Sequence, residues 1–207
     1  MANTIITISR QYGSGGRAIG KKLAESLNIP FYDNELISIS ADKSGLSKEY
    51  FKDAESTAVN NIILSLSTLA PTTEIYGLPL NEKIYLIQSK VIKDLASEGP
   101  CVIVGRCADH ILESFENCVN VFIHSSLADR VKRAVNEYNL PRKNAESVVS
   151  KTDKRRANYY NYFTNKHWGN VENYELVLNS GKIGIDNAVN IIKHYVELKE
   201  QYYRIQI

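Results

Sequence analysis

The sequence predicts a single α/β domain in which a five-stranded parallel sheet carries helices on both faces. Short apolar segments rich in β-branched residues recur along the chain, and helical patterns separate them. Strands that alternate with helices form right-handed crossovers and therefore a parallel sheet. Two long helical insertions, residues 34–98 and about 136–168, interrupt this alternation without linker composition. We therefore expect one domain, residues 1–207, with a sheet core and two helical inserts.

The predicted strands are short and apolar. The run CVIVG is continuously apolar, which is typical of a strand buried on both faces of a parallel sheet. The five predicted strands are residues 3–9, 29–32, 101–105, 119–124 and 175–179.

The predicted helices follow from apolar residues at helical spacing. The first of them places Ile19, Leu23 and Leu27 on one face. The first insert has a helical pattern from residue 35, broken by a predicted loop over 71–79. The predicted helices are residues 17–27, 58–69, 81–98, 108–115, 127–138 and about 185–203.

Composition and charge exclude several classes of function. The 207 residues are 43% hydrophobic and 23% charged, with a formal net charge of +2, so the charge gives no case for nucleic-acid binding. Met1 leads directly into a β-type run, and no apolar run approaches the length of a membrane span. Cys101, Cys107 and Cys118 have no metal-binding spacing. We therefore expect a cytoplasmic protein with reduced thiols, no membrane or nucleic-acid partner and no metal held by cysteine; the oligomeric state stays open.

The segment ISRQYGSGGRAIGKKLAESL places a glycine cluster between the first strand and the first helix. This order is typical of a loop that holds phosphate at a helix N-terminus, whose usual form is G-x-x-x-x-G-K-[ST]. If Gly16 is the last glycine of that motif, Arg17 stands in place of the lysine and Ala18 in place of the hydroxyl residue. If Gly15 is the last glycine, Gly16 replaces the lysine and Arg17 follows it. In either register Arg17 is the nearest cation of the helix start.

Arginine is a physically reasonable substitute for the missing lysine. Its guanidinium stays charged and donates bidentately to phosphate oxygens, although it is bulkier than an ammonium group. The sequence therefore predicts a phosphate site formed by Gly13, Ser14, Gly15 and Gly16 together with Arg17 and Ala18. The alternative is that the glycines only permit a tight turn and that Arg17 is solvated.

The sequence resembles the cytidylate kinase-like group of P-loop proteins, relatives of bacterial cytidylate kinase that carry G-S-G-G-R in place of G-S-G-K-G-T. The resemblance lies in the segments ISRQYGSGGRAIGKKLAE, PFYDNELI, CVIVGRCADHIL, DKRRANYYNYFTNKHWG and NYELVLNSGKIGID. It implies a three-layer P-loop NTPase fold of the nucleoside-monophosphate-kinase type with strand order 2-3-1-4-5. It also implies that residues 34–98 hold the acceptor and that residues 136–168 form a lid.

Two residues at the ends of strands are candidates for acceptor binding. Arg106 directly follows the predicted central strand, where open α/β sheets place their ligands, and the resemblance implies that it binds the acceptor's phosphate. Otherwise it is a surface arginine that pairs with Asp109 or Glu113. Asp33 ends the second strand, and the resemblance implies that it orients the acceptor or a metal-bound water. Otherwise it caps the following helix.

Basic residues are concentrated between positions 130 and 156, around the predicted lid. Phosphoryl transfer needs charge compensation, which arginines supply when a lid closes. We therefore expect Arg130, Arg133 and Arg156 to stabilise the transferring group, and we leave Arg155 undecided. The alternative is that this run is a solvated helix face.

Together these predictions indicate an ATP- and Mg²⁺-dependent transfer of a phosphoryl group to a small phosphorylated acceptor, with CMP or dCMP as first choice. The expected catalytic residues are Arg17, Asp33, Arg130, Arg133 and Arg156. The partners would be small-molecule nucleotides. Two alternatives stay open: a kinase of another small metabolite, and a nucleotide-binding regulatory module with little turnover. The residue that replaces the Mg²⁺-binding hydroxyl is open among Ser9, Ser14 and Asp33.

Overall fold

The fold is a five-stranded sheet in the order β2-β3-β1-β4-β5, and every neighbouring pair of strands is parallel. A computed structural model of the chain describes residues 4–33, 36, 39, 42 and 78–206. The strands are β1 Ile5–Arg10, β2 Phe31–Tyr32, β3 Val102–Val104, β4 Cys118–His124 and β5 Leu176–Asn179. The predicted parallel sheet and its strand order are confirmed.

Six helices connect and cover the strands in the described part of the chain. They are α1 Gly16–Leu27, α2 Leu80–Glu98, α3 Ala108–Ile111, α4 Leu127–Tyr138, α5 Ala145–Thr164 and α6 Ser180–Gln206. Single 3₁₀ turns, Arg142–Asn144 and Val171–Asn173, precede α5 and β5. The predicted helix over residues 58–69 and most of the predicted loop over 71–79 lie outside the described residues. Within the described residues, no helix combines the length and the apolar composition that crossing a membrane requires.

The two faces of the sheet bury separate apolar layers because successive strand residues point to opposite sides. Ile6 and Ile8 of β1 pack with the buried face of α1 and with α6. Ile5 faces the other side, where the buried residues of α2 and the segment after β3 lie. In α1 the buried positions Ile19, Leu23 and Ala24 recur at helical spacing, as the sequence predicts.

One helix boundary differs from the prediction. The helix after β3 ends at Ile111, four residues before its predicted end, and a turn continues the chain. In α6 the backbone of Gly184 is not helical, with φ of 78° and ψ of 171°, so a short helical turn from Ser180 precedes the long helix, which starts near residue 185 as predicted. Ser180 is buried, and its hydroxyl donates to the carbonyl of Ser14 at 2.5 Å. The same hydroxyl lies 3.2 Å from the carbonyl oxygen of His124. This anchor brings the start of α6 beneath the glycine loop.

The helix α5 of the second insert packs directly on the glycine loop. The backbone N–H of Tyr12 donates to Asp153 at 2.7 Å, and Arg156 donates to the carbonyl of Arg10 at 3.0 Å. Further along the helix, the buried hydroxyl of Tyr160 donates to Asp109 of α3 at 2.7 Å. The second insert is therefore joined to the carboxyl edge of the sheet at three points.

Candidate active site at the carboxyl edge of the sheet

The glycine loop occupies residues 11–15, between the last residue of β1 and the first residue of α1. Gly13 and Gly15 have φ of 79° and 81°, which side chains other than glycine rarely adopt. The N–H and the hydroxyl of Ser14 both donate to the carbonyl of Gln11, at 3.2 and 2.8 Å, and so close the turn. A Cβ on Gly13 would lie 2.4 Å from the carbonyl oxygen of Arg130, so α4 also confines the loop.

The start of α1 offers donors to an anion. The N–H of Ile19 donates to the carbonyl of Gly15 at 3.0 Å, as the first turn of a helix requires. Among the described residues, no protein group accepts a hydrogen bond from the N–H of Gly15, Gly16 or Arg17. Such a set of N–H groups at the positive end of a helix is suited to a phosphate group. The predicted phosphate loop therefore has the geometry that its role demands, and bound phosphate stays a prediction.

The start of α1 also decides between the two registers of the motif. In the motif the lysine follows the last glycine and opens the helix. Here Gly15 is the last loop residue and Gly16 is the first helical residue. Gly16 therefore occupies the lysine position and Arg17 the position of the hydroxyl residue. The same register places Arg10 at the first glycine of G-x-x-x-x-G.

Asp33 lies at the end of β2 on the same edge of the sheet, between two arginines. Its side chain is only 7% exposed. The Nε of Arg17 donates to one carboxylate oxygen at 2.5 Å, and the Nη2 of Arg10 lies 3.8 Å from the other. Neither ion pair was predicted from the sequence. Arg17, whose side chain is 59% exposed, thus reaches from the start of α1 to the end of β2.

Arg106 follows β3, the strand that pairs with β2, on the same edge of the sheet. Gly105, Arg106 and Cys107 all have positive φ, of 80°, 59° and 55°. Three such residues in succession are a costly conformation that the surrounding contacts must stabilise. Arg106 lines a small cavity together with Ser9, Arg10, Gly105, Arg156 and Tyr159.

The two acids proposed as alternative partners of Arg106 bind other groups. Asp109 accepts from the hydroxyl of Tyr160, and burial raises the pKa of both. Glu113 accepts from the ammonium of Lys166 at 2.8 Å, which lowers the pKa of Glu113.

Two of the three arginines predicted to stabilise the transferring group bind carbonyls of the loop, and the third binds the carbonyl of Arg10, directly before it. Arg130, which is buried, donates to Tyr12 and to Ser125 at 3.2 Å and forms an ion pair with Asp153. Arg133 donates to the carbonyl of Gly13 at 3.1 Å and also pairs with a glutamate one turn further along α4.

Arg156 completes this set from α5. It binds the carbonyl of Arg10, and its guanidinium lies 5.6 Å from the centre of the Tyr12 ring. The structure thus brings the predicted arginines to the loop, where they hold its backbone. Their role in charge stabilisation stays a prediction. Arg155 instead contacts Thr152 of its own helix at 3.3 Å.

Two further residues build this site: the sequence assigns no role to Asp153, and it offers Arg10 only as another source of the cation if Arg17 does not supply it. Asp153 bridges the loop N–H of Tyr12 and the guanidinium of Arg130. Arg10 projects from the end of β1 toward Asp33. A charged residue that ends an otherwise apolar strand, directly before a glycine loop, is the signal that could have identified Arg10.

The described residues at the helix start do not fit a magnesium ion held directly by the protein. The hydroxyl of Ser14 is buried and donates to Gln11, and Ser9 is also buried. Asp33 faces two guanidinium groups. Ala18 offers no side-chain oxygen. The structure therefore supports none of the three candidates left open by the sequence as a direct ligand of the ion.

The sheet order and the glycine loop define the class: this is a P-loop kinase fold. A solved structure of an uncharacterized protein from Eubacterium ventriosum ATCC 27560 is 29% identical, covers 94% of this chain and 98% of that one, and has a TM-score of 0.70. A shikimate kinase from Bacteroides thetaiotaomicron is 14% identical over 94% and 98% of the two chains, with a TM-score of 0.55. A gluconokinase from Sinorhizobium meliloti 1021 is 17% identical over 98% and 97%, with a TM-score of 0.54.

Residues 5–182 match the model of the cytidylate kinase-like family, and the chain belongs to that family. No curated protein sequence matches it. The two kinases share its fold at identities too low to transfer their substrates.

Proposed function

We propose that the protein transfers the γ-phosphoryl group of ATP to a small phosphorylated acceptor, with CMP or dCMP as the first candidates. One observation carries the proposal. A loop with unpartnered N–H groups at a helix start lies on the same sheet edge as a buried carboxylate flanked by two arginines. Phosphoryl transfer needs such a pairing, because donor phosphates must be held while the acceptor is oriented against them.

The donor side of the proposed site is the loop itself. Its residues Gly13 to Ala18 would bind the β- and γ-phosphates through backbone N–H groups. The left-handed glycines allow the backbone to approach the phosphates closely. Mg²⁺ would accompany the nucleotide as the counter-ion of its phosphates. Water would be excluded by α5, which already contacts the loop.

The acceptor side of the proposed site is formed by Asp33 and Arg106. Asp33 would accept a hydrogen bond from a sugar hydroxyl of the acceptor and so orient the acceptor, whose phosphate oxygen would attack the γ-phosphoryl group while ADP leaves. Arg106 would bind the acceptor's own phosphate, for which a guanidinium is well shaped. Arg17 would neutralise charge between the two sides, exchanging its contact with Asp33 for one with phosphate. This exchange is feasible because the side chain is largely exposed.

A second candidate is a nucleotide-binding module with little turnover. The observation that favours it is that Gly16 replaces the lysine, while Arg130, Arg133 and Arg156 bind backbone carbonyls in and directly before the loop. A third possibility keeps the chemistry and changes the acceptor to another small metabolite. It is supported by fold neighbours whose names are shikimate kinase and gluconokinase.

A coupled assay of ADP release separates these functions. Wild-type protein, ATP and Mg²⁺ are tested with CMP, dCMP, the other nucleoside monophosphates and a panel of hydroxylated metabolites. The proposal expects acceptor-dependent ADP release that is fastest with CMP or dCMP. ADP release only with a metabolite supports the third possibility. ATP binding without ADP release on any acceptor supports the binding module.

A further inference from the structure

We propose that Arg10 supplies the cation of the missing lysine, and that position 16 is a glycine because the base of the Arg10 side chain occupies its space. This inference rests on the proposed binding of ATP phosphates by the loop. It assigns to a residue of the strand a role that the motif gives to a residue of the helix.

The register shows that two positions of the motif have changed together. With Gly15 as the last glycine, the first glycine of the motif falls at Arg10 and the lysine at Gly16. A residue with no side chain has become an arginine, and the lysine has become a residue with no side chain. The cation has therefore moved from the helix start to the end of β1, and Arg17 adds a second cation at the position of the hydroxyl residue.

The space around Gly16 explains why the two changes belong together. A Cβ on Gly16 would lie 2.6 Å from the Cβ of Arg10 and 3.0 Å from its Cγ. Both distances are far below van der Waals contact, and the first atom belongs to the rigid base of the side chain. A lysine at position 16 and an arginine at position 10 are therefore mutually exclusive in this loop.

The far end of the same side chain is accommodated by a second glycine. A Cβ on Gly105 would lie 2.3 Å from the Nη1 of Arg10 and 3.2 Å from its Cζ. The Arg10 side chain thus extends from above Gly16 to the end of β3, across the carboxyl edge of the sheet. Glycines at both ends leave room for its stem and its guanidinium.

The charge of Arg10 is placed where the two halves of the proposed site meet. Its Nη2 lies 3.8 Å from Asp33, and the side chain is 19% exposed. Arg106 and Arg156 line the same small cavity. A guanidinium with five donors can keep its contact with Asp33 and still donate to the oxygens of a phosphoryl group. We therefore assign the contact with the γ-phosphoryl group to Arg10.

The test compares four variants by isothermal titration calorimetry with ATP and with inorganic tripolyphosphate. Arg10→Met keeps the stem and removes the charge. Gly16→Lys restores the lysine while Arg10 still occupies its space. The double variant Arg10→Gly/Gly16→Lys restores both positions of the motif. Lys21→Ala, on the exposed face of α1 where the side chain lies 3.9 Å from Glu25, is the control.

The proposal expects a specific order of affinities. Arg10→Met should weaken ATP binding about tenfold to a hundredfold, as the loss of a charged hydrogen bond predicts. Gly16→Lys should weaken it as well, because the two side chains collide. The double variant should bind ATP at least tenfold more tightly than Gly16→Lys, and Lys21→Ala should match the wild type.

Two results would overturn the proposal. One is a folded Arg10→Met protein whose Kd for ATP equals that of the wild type. The other is a double variant that binds no more tightly than Gly16→Lys, and this comparison decides the matter if Arg10→Met does not fold. ADP release by the same proteins distinguishes the two proposals. If ATP binding depends on Arg10 but no acceptor supports ADP release, this inference stands and the proposed kinase activity is wrong. If Arg10→Met releases ADP at the wild-type rate, the kinase activity stands and this inference is wrong.

Discussion

Replacement of Asp33 by asparagine removes a buried negative charge from between Arg10 and Arg17 and keeps the shape of the side chain. The carboxylate oxygens lie 2.5 Å from Arg17 and 3.8 Å from Arg10. Breaking a fully buried ion pair costs about 3–5 kcal/mol, because the remaining charge loses its partner in a dry environment. Arg17 is 59% exposed, so water takes over part of that role. We expect Asp33→Asn to lower the free energy of unfolding by about 1–2 kcal/mol.

The same change should move ATP affinity and turnover in opposite directions. Removing one negative charge beside the phosphates and freeing Arg17 is worth roughly 1 kcal/mol, so ATP should bind about fivefold more tightly. Turnover should fall about a hundredfold or more, because the acceptor loses the carboxylate that positions its attacking phosphate. If Asp33 had only a structural role, the substitution would lower the free energy of unfolding without raising ATP affinity or lowering turnover in this way.

Three measurements on one preparation decide this prediction: chemical denaturation, calorimetric titration with ATP, and ADP release with the best acceptor. Asp186→Asn is the matched control, because Asp186 pairs with Lys22 at the same distance of 2.5 Å but is 79% exposed. It should change none of the three. If Asp33→Asn lowers stability and leaves both ATP affinity and turnover at wild-type values, Asp33 is a structural counter-ion and the acceptor assignment is wrong.

Four further predictions concern the loop and the core. Arg17→Ala should lower turnover roughly thirtyfold to a thousandfold in the coupled assay, and an unchanged rate would remove Arg17 from the catalytic set. Gly13→Ala should destabilise the protein by about 1–3 kcal/mol in denaturant titrations, because Gly13 has φ of 79° and its Cβ would lie 2.4 Å from a backbone oxygen of α4; an unchanged free energy of unfolding would contradict this. Burial raises the pKa of Asp109, so the stability that this group contributes at low pH is lost as pH rises above about 4. Asp109→Asn should therefore gain stability relative to the wild type between about pH 4 and 7. A difference in the free energy of unfolding that stays constant over this range would refute the raised pKa. Burial raises the pKa of the Cys101 and Cys118 thiols to about 12, so iodoacetamide should label them only in denaturant, and rapid native labelling would contradict their burial.

Much of the sheet could be predicted from the sequence because each strand is a short run dominated by apolar and β-branched residues. Residues 101–105 and 119–124, for example, contain the observed β3 and nearly all of β4. The strand order was implied by the family resemblance, because apolar runs do not show which strands are neighbours in the sheet. The short helical turn from Ser180 to Gly184 was not predicted, because a pattern of apolar residues cannot show that the hydroxyl of Ser180 is anchored under the loop.

The sequence proposed residues for the candidate site, but neither Asp153 nor the partners of the arginines could be predicted from it. The loop, Asp33 and Arg106 do meet at one edge of the sheet, because the carboxyl ends of parallel strands share that edge. The partners of each arginine depend on distances between elements far apart in the chain, such as Arg130 with Asp153. The collision between Arg10 and any side chain at Gly16 likewise exists only in three dimensions.

The central claim is that the γ-phosphoryl group of ATP passes to an acceptor held near Asp33. The most direct measurement follows the label of [γ-³²P]ATP by thin-layer chromatography in the presence of CMP. The account predicts that label moves from ATP into CDP with wild-type protein, and that this transfer falls about a hundredfold with Asp33→Asn. Label that stays in ATP, or that appears only as inorganic phosphate, with CMP and with every other acceptor of the panel, would contradict it.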